Sequence, residues 1–318
     1  MMHAMAQYTD LGHGISLIDA EYLYPGVVAV YLLQQDDQLA IIETGTANSA
    51  VTILAIIESH GFSTDNVSYI IPTHVHLDHA GGAGALMQHC QNAQLVIHPY
   101  GARHMIDPSK LIAGTISVYG EEKFRELYGE LKPIDASRVI EAPDNFELNL
   151  GQRRLRFLDT PGHARHHFCV YDEDSQGVFT GDTFGLCYPE LTTDAGPFIF
   201  PTTTPIQFDP PALLQSIDRL MALKPKQMYL THFGDIKPTN AVVNQLKKRV
   251  HHFTQIALAE KHSNGNRLQN IERRLRDYLL KELTAMQCQQ TIEFCEQFLR
   301  NDISLNAQGL DIWLEKNT

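Results

Sequence analysis

The sequence predicts an α/β fold, sheets covered by helices, with a helical appendage at its C-terminal end. Three observations predict it. Short β-patterned runs alternate with stretches of helical spacing up to residue 230. His and Asp recur just past the ends of these runs, where sites on α/β scaffolds gather. After Asn240 glycine becomes scarce, and Leu, Ile and Phe recur at helical spacing. The 318 residues therefore divide into an α/β domain, 1–239, and a helical extension, 240–318.

Ile15–Ile18, Val27–Leu33 and Leu39–Glu43 read as strands, with Asp36-Asp37 as a hairpin signal between the last two. Ala47 to His60 has helical spacing, with Val51, Leu54, Ala55 and Ile57 apolar, and Gly61 stops it. Val67–Pro72 reads as a short buried strand. Ala80-Gly81-Gly82-Ala83-Gly84-Ala85-Leu86-Met87 then opens a helix that runs to about Cys90. Leu95–His98 is another strand, ended by Pro99. Residues 101–132 are expected to be helical and amphipathic, interrupting the β pattern. Strands resume at Arg138–Ile140, Phe146–Leu148, Leu155–Leu158, Phe168–Tyr171 and Val178–Thr180. A long irregular segment rich in Thr, Pro and Phe follows. Asp209-Pro210-Pro211 starts a helix, with Asp as cap and Pro in the first turn, that runs to about Leu223. Met228–Leu230 is a last short strand, and three or four helices complete the chain. There is no internal repeat and no low-complexity tract.

The hydrophobic fraction of 43% is that of an ordinary globular protein. A formal net charge of −12 disfavours nucleic acid and anionic membrane as partners. The basic runs Arg153-Arg154-Leu155-Arg156, Lys247-Lys248-Arg249 and Arg273-Arg274 read as solvated faces. Cysteines 90, 169, 187, 288 and 295 form no disulfide framework, which points to reduced thiols and a cytoplasmic location. Met1–Gln7 lacks a signal-peptide pattern, and no apolar run is long enough to cross a bilayer.

The densest chemistry is His74-Val75-His76-Leu77-Asp78-His79, four metal-ligand side chains in six residues. Three imidazoles and a carboxylate, without cysteine, suit zinc, iron or manganese. In an extended backbone residues two apart point the same way, so His74 and His76 are expected to converge on one ion. Asp78 and His79, at a strand-to-helix turn, can face a second. Four ligands cannot fill two shells. The remaining candidates also follow apolar strands: His163 after Asp159-Thr160-Pro161-Gly162, Asp182 after Gly181, and His232 after Thr231.

This set resembles the metallo-β-lactamase superfamily, its glyoxalase II-like hydrolase branch in particular, over roughly residues 14–235. The resemblance implies a four-layer αβ/βα sandwich and a binuclear centre. It assigns His74, His76 and His163 to one metal, Asp78, His79 and His232 to a second, and Asp182 to a bridge between them. It implies two divalent ions, Zn2+ before Fe or Mn, and hydrolysis by a bridging hydroxide, with Asp78 and Asp182 as catalytic carboxylates. The family usually has Asp-Thr-Gly where this chain has Glu43-Thr44-Gly45. That acid orients a histidine ligand, and Asp159 is placed for a similar role.

His166 is expected to face solvent or to support a ligand. His98, His104, His251 and His252 read as ordinary surface or helix residues, and Cys187 as a buried free thiol. Tyr188, Phe198, Phe200 and Phe208 are placed either to line the substrate mouth or to pack beneath the loop. Glyoxalase II enzymes hold glutathione with basic residues, yet residues 183–223 contain only Arg219. Lactonases of the superfamily often carry Tyr three residues after the bridging Asp, where Gly185 stands here. What remains is a small neutral or apolar ester, thioester or lactone as substrate. An iron-dependent oxidoreductase of the same fold, diiron or persulfide-oxidising, is the alternative, and a phosphodiesterase or nuclease ranks below it. The C-terminal helices suit capping of the pocket or a homodimer interface.

Overall fold

A computed structural model describes residues 7–203, 206–263 and 265–317. The signal-peptide reading of the N-terminus rests mainly on residues 1–6, outside the described residues. The chain forms two compact units. The first comprises the chain up to Asp159, His166–Gly181 and Thr231–Gly234; the second comprises Thr160–Arg165, Asp182–Leu230 and the chain from Asp235 onward.

The first unit carries a seven-stranded sheet in chain order: β1 (Tyr8–Asp10), β2 (Ile15–Asp19), β3 (Ala29–Gln35), β4 (Gln38–Ile42), β5 (Val67–Ile71), β6 (Gln94–Ile97) and β7 (Val139–Glu141). β1 to β4 form an antiparallel meander, and β4 to β7 run parallel. The β3–β4 turn places Asp36 at φ 53°, a conformation that Asp tolerates better than most residues. Parallel strands need crossovers. They are α1 (Ala50–Ser59), then α2 (Leu77–Ala80) with α3 (Ala83–His89), then α4 (Pro99–Ile106), α5 (Ser109–Tyr119) and α6 (Glu121–Tyr128). The expected helical stretch 101–132 is thus three helices, broken at Asp107-Pro108 and at Gly120.

Ile18, Val30, Leu32, Ile41, Ile70, Leu95 and Ile97 from the sheet pack against Ile53, Ile56 and Leu86 from α1 and α3. The inward face of α1 is Ala50, Ile53, Ile56 and Ile57. The sequence suggested Val51, Leu54, Ala55 and Ile57, but Val51 is 75% exposed. With so many aliphatic residues in α1, periodicity alone left its rotation open.

Four antiparallel strands of the first unit follow: β8 (Glu147–Leu150), β9 (Arg153–Asp159), β10 (Phe168–Asp172) and β11 (Gly177–Phe179). Arg153 is not part of a solvated face. It is buried, and its guanidinium pairs bidentately with buried Asp172 at 2.9 and 2.6 Å while donating to the His13 carbonyl at 2.7 Å. Ser175 donates to the same carboxylate. Removing one partner of such a pair leaves an uncompensated buried charge. Asp172→Ala should therefore cost about 3–5 kcal/mol, read as a lowered urea midpoint. An unchanged midpoint would refute that structural role.

The second unit contains α7 (Pro210–Ala222), β12 (Gln227–Leu230), α8 (Asn240–Ala259), α9 (Arg267–Ala285), α10 (Ile292–Phe298) and α11 (Arg300–Lys316). Asp209 caps α7 by accepting from Ala212 N at 3.1 Å. A further strand, β13 (Gly234–Ile236), and β1 were too short to be seen in the sequence. Arg249 is also buried rather than solvated, with its guanidinium carbon 3.8 Å from the Phe198 ring centroid. Burial pushes its pKa down. Tyr188, Phe198, Phe200 and Phe208 are all buried, and Tyr188 packs on Phe298 and donates to Asp302 at 3.2 Å. Of the two roles open to these aromatics, packing beneath the loop is the one observed. Among the described residues, no helix is long and apolar enough to cross a membrane, and none of the cysteines forms a disulfide.

Candidate metal centre

β5 ends at Ile71, and Pro72, without an N–H, does not continue its ladder. Residues 73–76 form bends, and Leu77 opens α2. His74 and His76 converge as expected, but in this loop rather than in a strand. His74 Nε2 lies 2.8 Å from His76 Nδ1. Asp78 and His79 sit on the short helix itself, with His79 Nε2 3.6 Å from Asp78 Oδ2.

Thr231 and His232 return to the first unit after β12. His232 Nε2 is also 3.6 Å from Asp78 Oδ2, while its Nδ1 lies 2.8 Å from the Val27 carbonyl. A carbonyl can only accept, so Nδ1 carries the proton and Nε2 presents its lone pair. The same device orients His79. Its Nδ1 meets Glu43 Oε1 at 2.9 Å, and both residues are buried. Within the second unit His163 Nδ1 faces the Thr202 carbonyl at 3.4 Å, and its Nε2 is 3.2 Å from Asp182 Oδ2.

Glu43 holds more than His79. Its carboxylate accepts from the Thr73 backbone N–H at 3.1 Å, the Thr73 hydroxyl at 2.6 Å and the Thr231 hydroxyl at 2.9 Å. Thr73 and Thr231 immediately precede His74 and His232. The role of this acid as a histidine support was legible in the sequence; its reach to the two threonines was not. Gly181 explains another local choice. A Cβ there would fall 2.4 Å from His167 Nε2 and 2.5 Å from Thr73 Oγ1, so only glycine allows the chain so close to the ligand loop.

Two groups of donors result. His74, His76, His163 and Asp182 each offer a ligand atom within 4.8 Å of one another, as do Asp78, His79 and His232. This imidazole and carboxylate set, with three histidines locked to present Nε2, fits divalent metal ions.

Other histidines differ from expectation. His166 is buried rather than solvent-facing, and its Nδ1 accepts from Val75 N at 3.5 Å. His98 is buried as well. It caps α4 by accepting from Tyr100 N, and its Nε2 lies 3.2 Å from Asp159 Oδ1. The Cys187 thiol is pushed up to about 12 by burial, which argues against a thiolate role.

Residues 23–232 match the family profile described as the metallo-beta-lactamase superfamily. The chain belongs to that superfamily. A metallo-beta-lactamase fold-containing protein of Sulfurisphaera tokodaii is 30% identical over 219 residues, covering 68% of this chain and 76% of the relative. An N-acyl homoserine lactonase of Bacillus thuringiensis is 26% identical, over 64% of this chain and 79% of the relative. The acyl-coenzyme A thioesterase MBLAC2 of Bos taurus is 24% identical, over 57% and 68%. Among solved structures, an archaeal metallo-beta-lactamase superfamily protein from Sulfolobus tokodaii aligns with a TM-score of 0.64 and 26% identity, covering 94% of this chain and 98% of that one. The two sheets with their helices are those of the superfamily's αβ/βα sandwich, and the His and Asp cluster is a metal-binding site of a superfamily member.

Proposed function

We propose that this chain is a binuclear metal-dependent hydrolase of a neutral or apolar ester, thioester or lactone, on the glyoxalase II- and lactonase-like side of the superfamily. The observation that carries the reading is the pair of donor groups, built only of histidine and aspartate. His74, His76 and His163 would hold one ion, Asp78, His79 and His232 the other, and Asp182 would serve as the carboxylate they share. Zn2+ suits this donor set best. Divalent ions held there supply a water acidified toward neutral pH and a Lewis acid for the substrate oxygen.

The protein's own residues do the rest. Glu43 and the Val27 carbonyl fix the tautomers of His79 and His232. Asp78, its side chain 25% exposed, is the carboxylate placed to take a proton from water or pass one to the leaving group. Asp182, nearly buried beside His163, holds its position rather than exchanging with solvent. The scarcity of basic residues in 183–223 argues against anionic thioesters such as those of glutathione. The lactonase and thioesterase relatives support acyl chemistry. Residues 1–239 serve as the catalytic domain and 240–318 as its helical extension.

The test is a panel of esters, thioesters, lactones and phosphodiesters, assayed with metal-reconstituted protein alongside metal analysis of protein purified without added zinc. Turnover of at least one acyl class, lost on chelation and restored by Zn2+, is the expected result. Stoichiometric iron with colour and no hydrolysis, or turnover confined to phosphodiesters, would overturn the reading.

A further inference from the structure

The helical insert between β6 and β7 contains an unusual helix. α5, Ser-Lys-Leu-Ile-Ala-Gly-Thr-Ile-Ser-Val-Tyr, carries one charge, at Lys110, yet none of its described side chains is fully buried. Leu111, Ile112 and Ile116 are half-buried, and with Leu127 and Leu131 they pack against a small core of Leu77, Phe124 and Tyr128. Leu77 lies between His76 and Asp78, so this apolar cluster begins at the ligand loop itself. Tyr22 packs on the same cluster, donates to the Tyr128 hydroxyl at 3.0 Å and stacks on its ring at 5.8 Å. The ring of Tyr119 meets Tyr128 edge-on at 6.2 Å.

The tyrosine hydroxyls therefore lie within reach of the Asp78 charge, beside an aliphatic face. Burial first, with the charge of Asp78 contributing, raises all three tyrosines, so they remain protonated hydroxyls at neutral pH. An aliphatic face left half-covered, continuous with a reactive carboxylate, is matched by an unbranched acyl chain whose carbonyl points inward. Leu111 to Ile116 spans roughly 7.5 Å along the helix axis, enough to cover several methylenes.

We propose that α5, α6 and Tyr22 form an acyl-chain subsite, with the Tyr22–Tyr128 hydroxyl pair at its inner end, which makes this protein selective for straight-chain acyl substrates. The proposal rests on the hydrolase reading above, and two measurements separate them. The first is kcat/KM of the metal-loaded full chain for p-nitrophenyl esters from acetate to decanoate, for wild type and for Ile112→Gln/Ile116→Gln. Both positions are half-exposed, and metal content and thermal melting of the variant confirm folding. Wild-type kcat/KM should climb with length, by up to about fourfold per methylene, mainly through KM. The variant should lose that climb while keeping acetate ester turnover.

The second is calorimetric binding of decanoate relative to acetate, which needs no turnover. Wild type should show at least a tenfold preference for decanoate that the variant lacks, and this result supports the subsite even if no ester is hydrolysed. Equal decanoate preference in both proteins overturns it. So does a variant that converts a dimer to a monomer with the length dependence intact, because the face is then an interface between copies.

Discussion

Asp182→Ala should bring bound metal below two ions per chain and lower turnover of any acyl substrate by more than about 10³-fold, since the ions supply several kcal/mol of barrier lowering. Asp182 is nearly buried, and its Oδ2 is 3.2 Å from His163 Nε2. Alanine removes a carboxylate donor from the group without offering another. His76→Ala should behave alike, because its Nδ1 faces His74 Nε2 at 2.8 Å and leaves that imidazole without its neighbour in the donor group. Metal content by mass spectrometry, taken with turnover and a melting curve, checks the outcome. A folded variant with full metal and full turnover would end the assignment of these residues. Asp182→Asn adds a control of similar volume, with the charge removed and one carbonyl oxygen retained.

Glu43→Gln should weaken metal binding by about 10–100-fold while the protein stays folded, the usual effect of altering a partner of a ligating histidine. Glu43→Ala should do this and destabilise the fold as well. Oε1 alone gathers the Thr73 hydroxyl, His79 Nδ1 and the Thr231 hydroxyl, and each buried donor left unsatisfied costs about 1–3 kcal/mol. Titration of metal against a competing chelator, set beside urea unfolding of the metal-free protein, separates the two effects. Metal affinity in both variants equal to that of wild type would show that Glu43 only packs. Glu43→Asp restores the residue that the superfamily usually carries and should recover most of the affinity.

Much of this molecule was legible because its sequence is punctuated. Strands β4, β5 and β12 are followed by Glu-Thr-Gly, Pro-Thr-His and Thr-His, and the structure places each of these segments beside the donor groups. The same legibility failed where burial reversed a residue's usual preference. Arg153 and Arg249 look like parts of basic surface runs, yet one answers a buried carboxylate and the other lies on an aromatic ring. The aromatic loop after Asp182 invited a substrate role, but its rings fill the core of the second unit. The half-covered apolar surface lies instead on α5, whose composition reads as an ordinary amphipathic helix. Exposure depends on which neighbours the fold supplies, and helical spacing reports only that one face is apolar.

The hydrogen bond from Thr231 to Glu43 has a bearing on biosynthesis. Residues 231–234 rejoin a unit whose other parts end at Gly181. A growing chain has six of its seven donor residues once Asp182 has been made, but it still lacks His232 and the hydroxyl that completes the environment of Glu43. The second donor group cannot close until translation has passed residue 232. Nascent chains halted in the fifty residues before it should hold metal weakly at that group, and loading at full strength belongs to chains extended past residue 232.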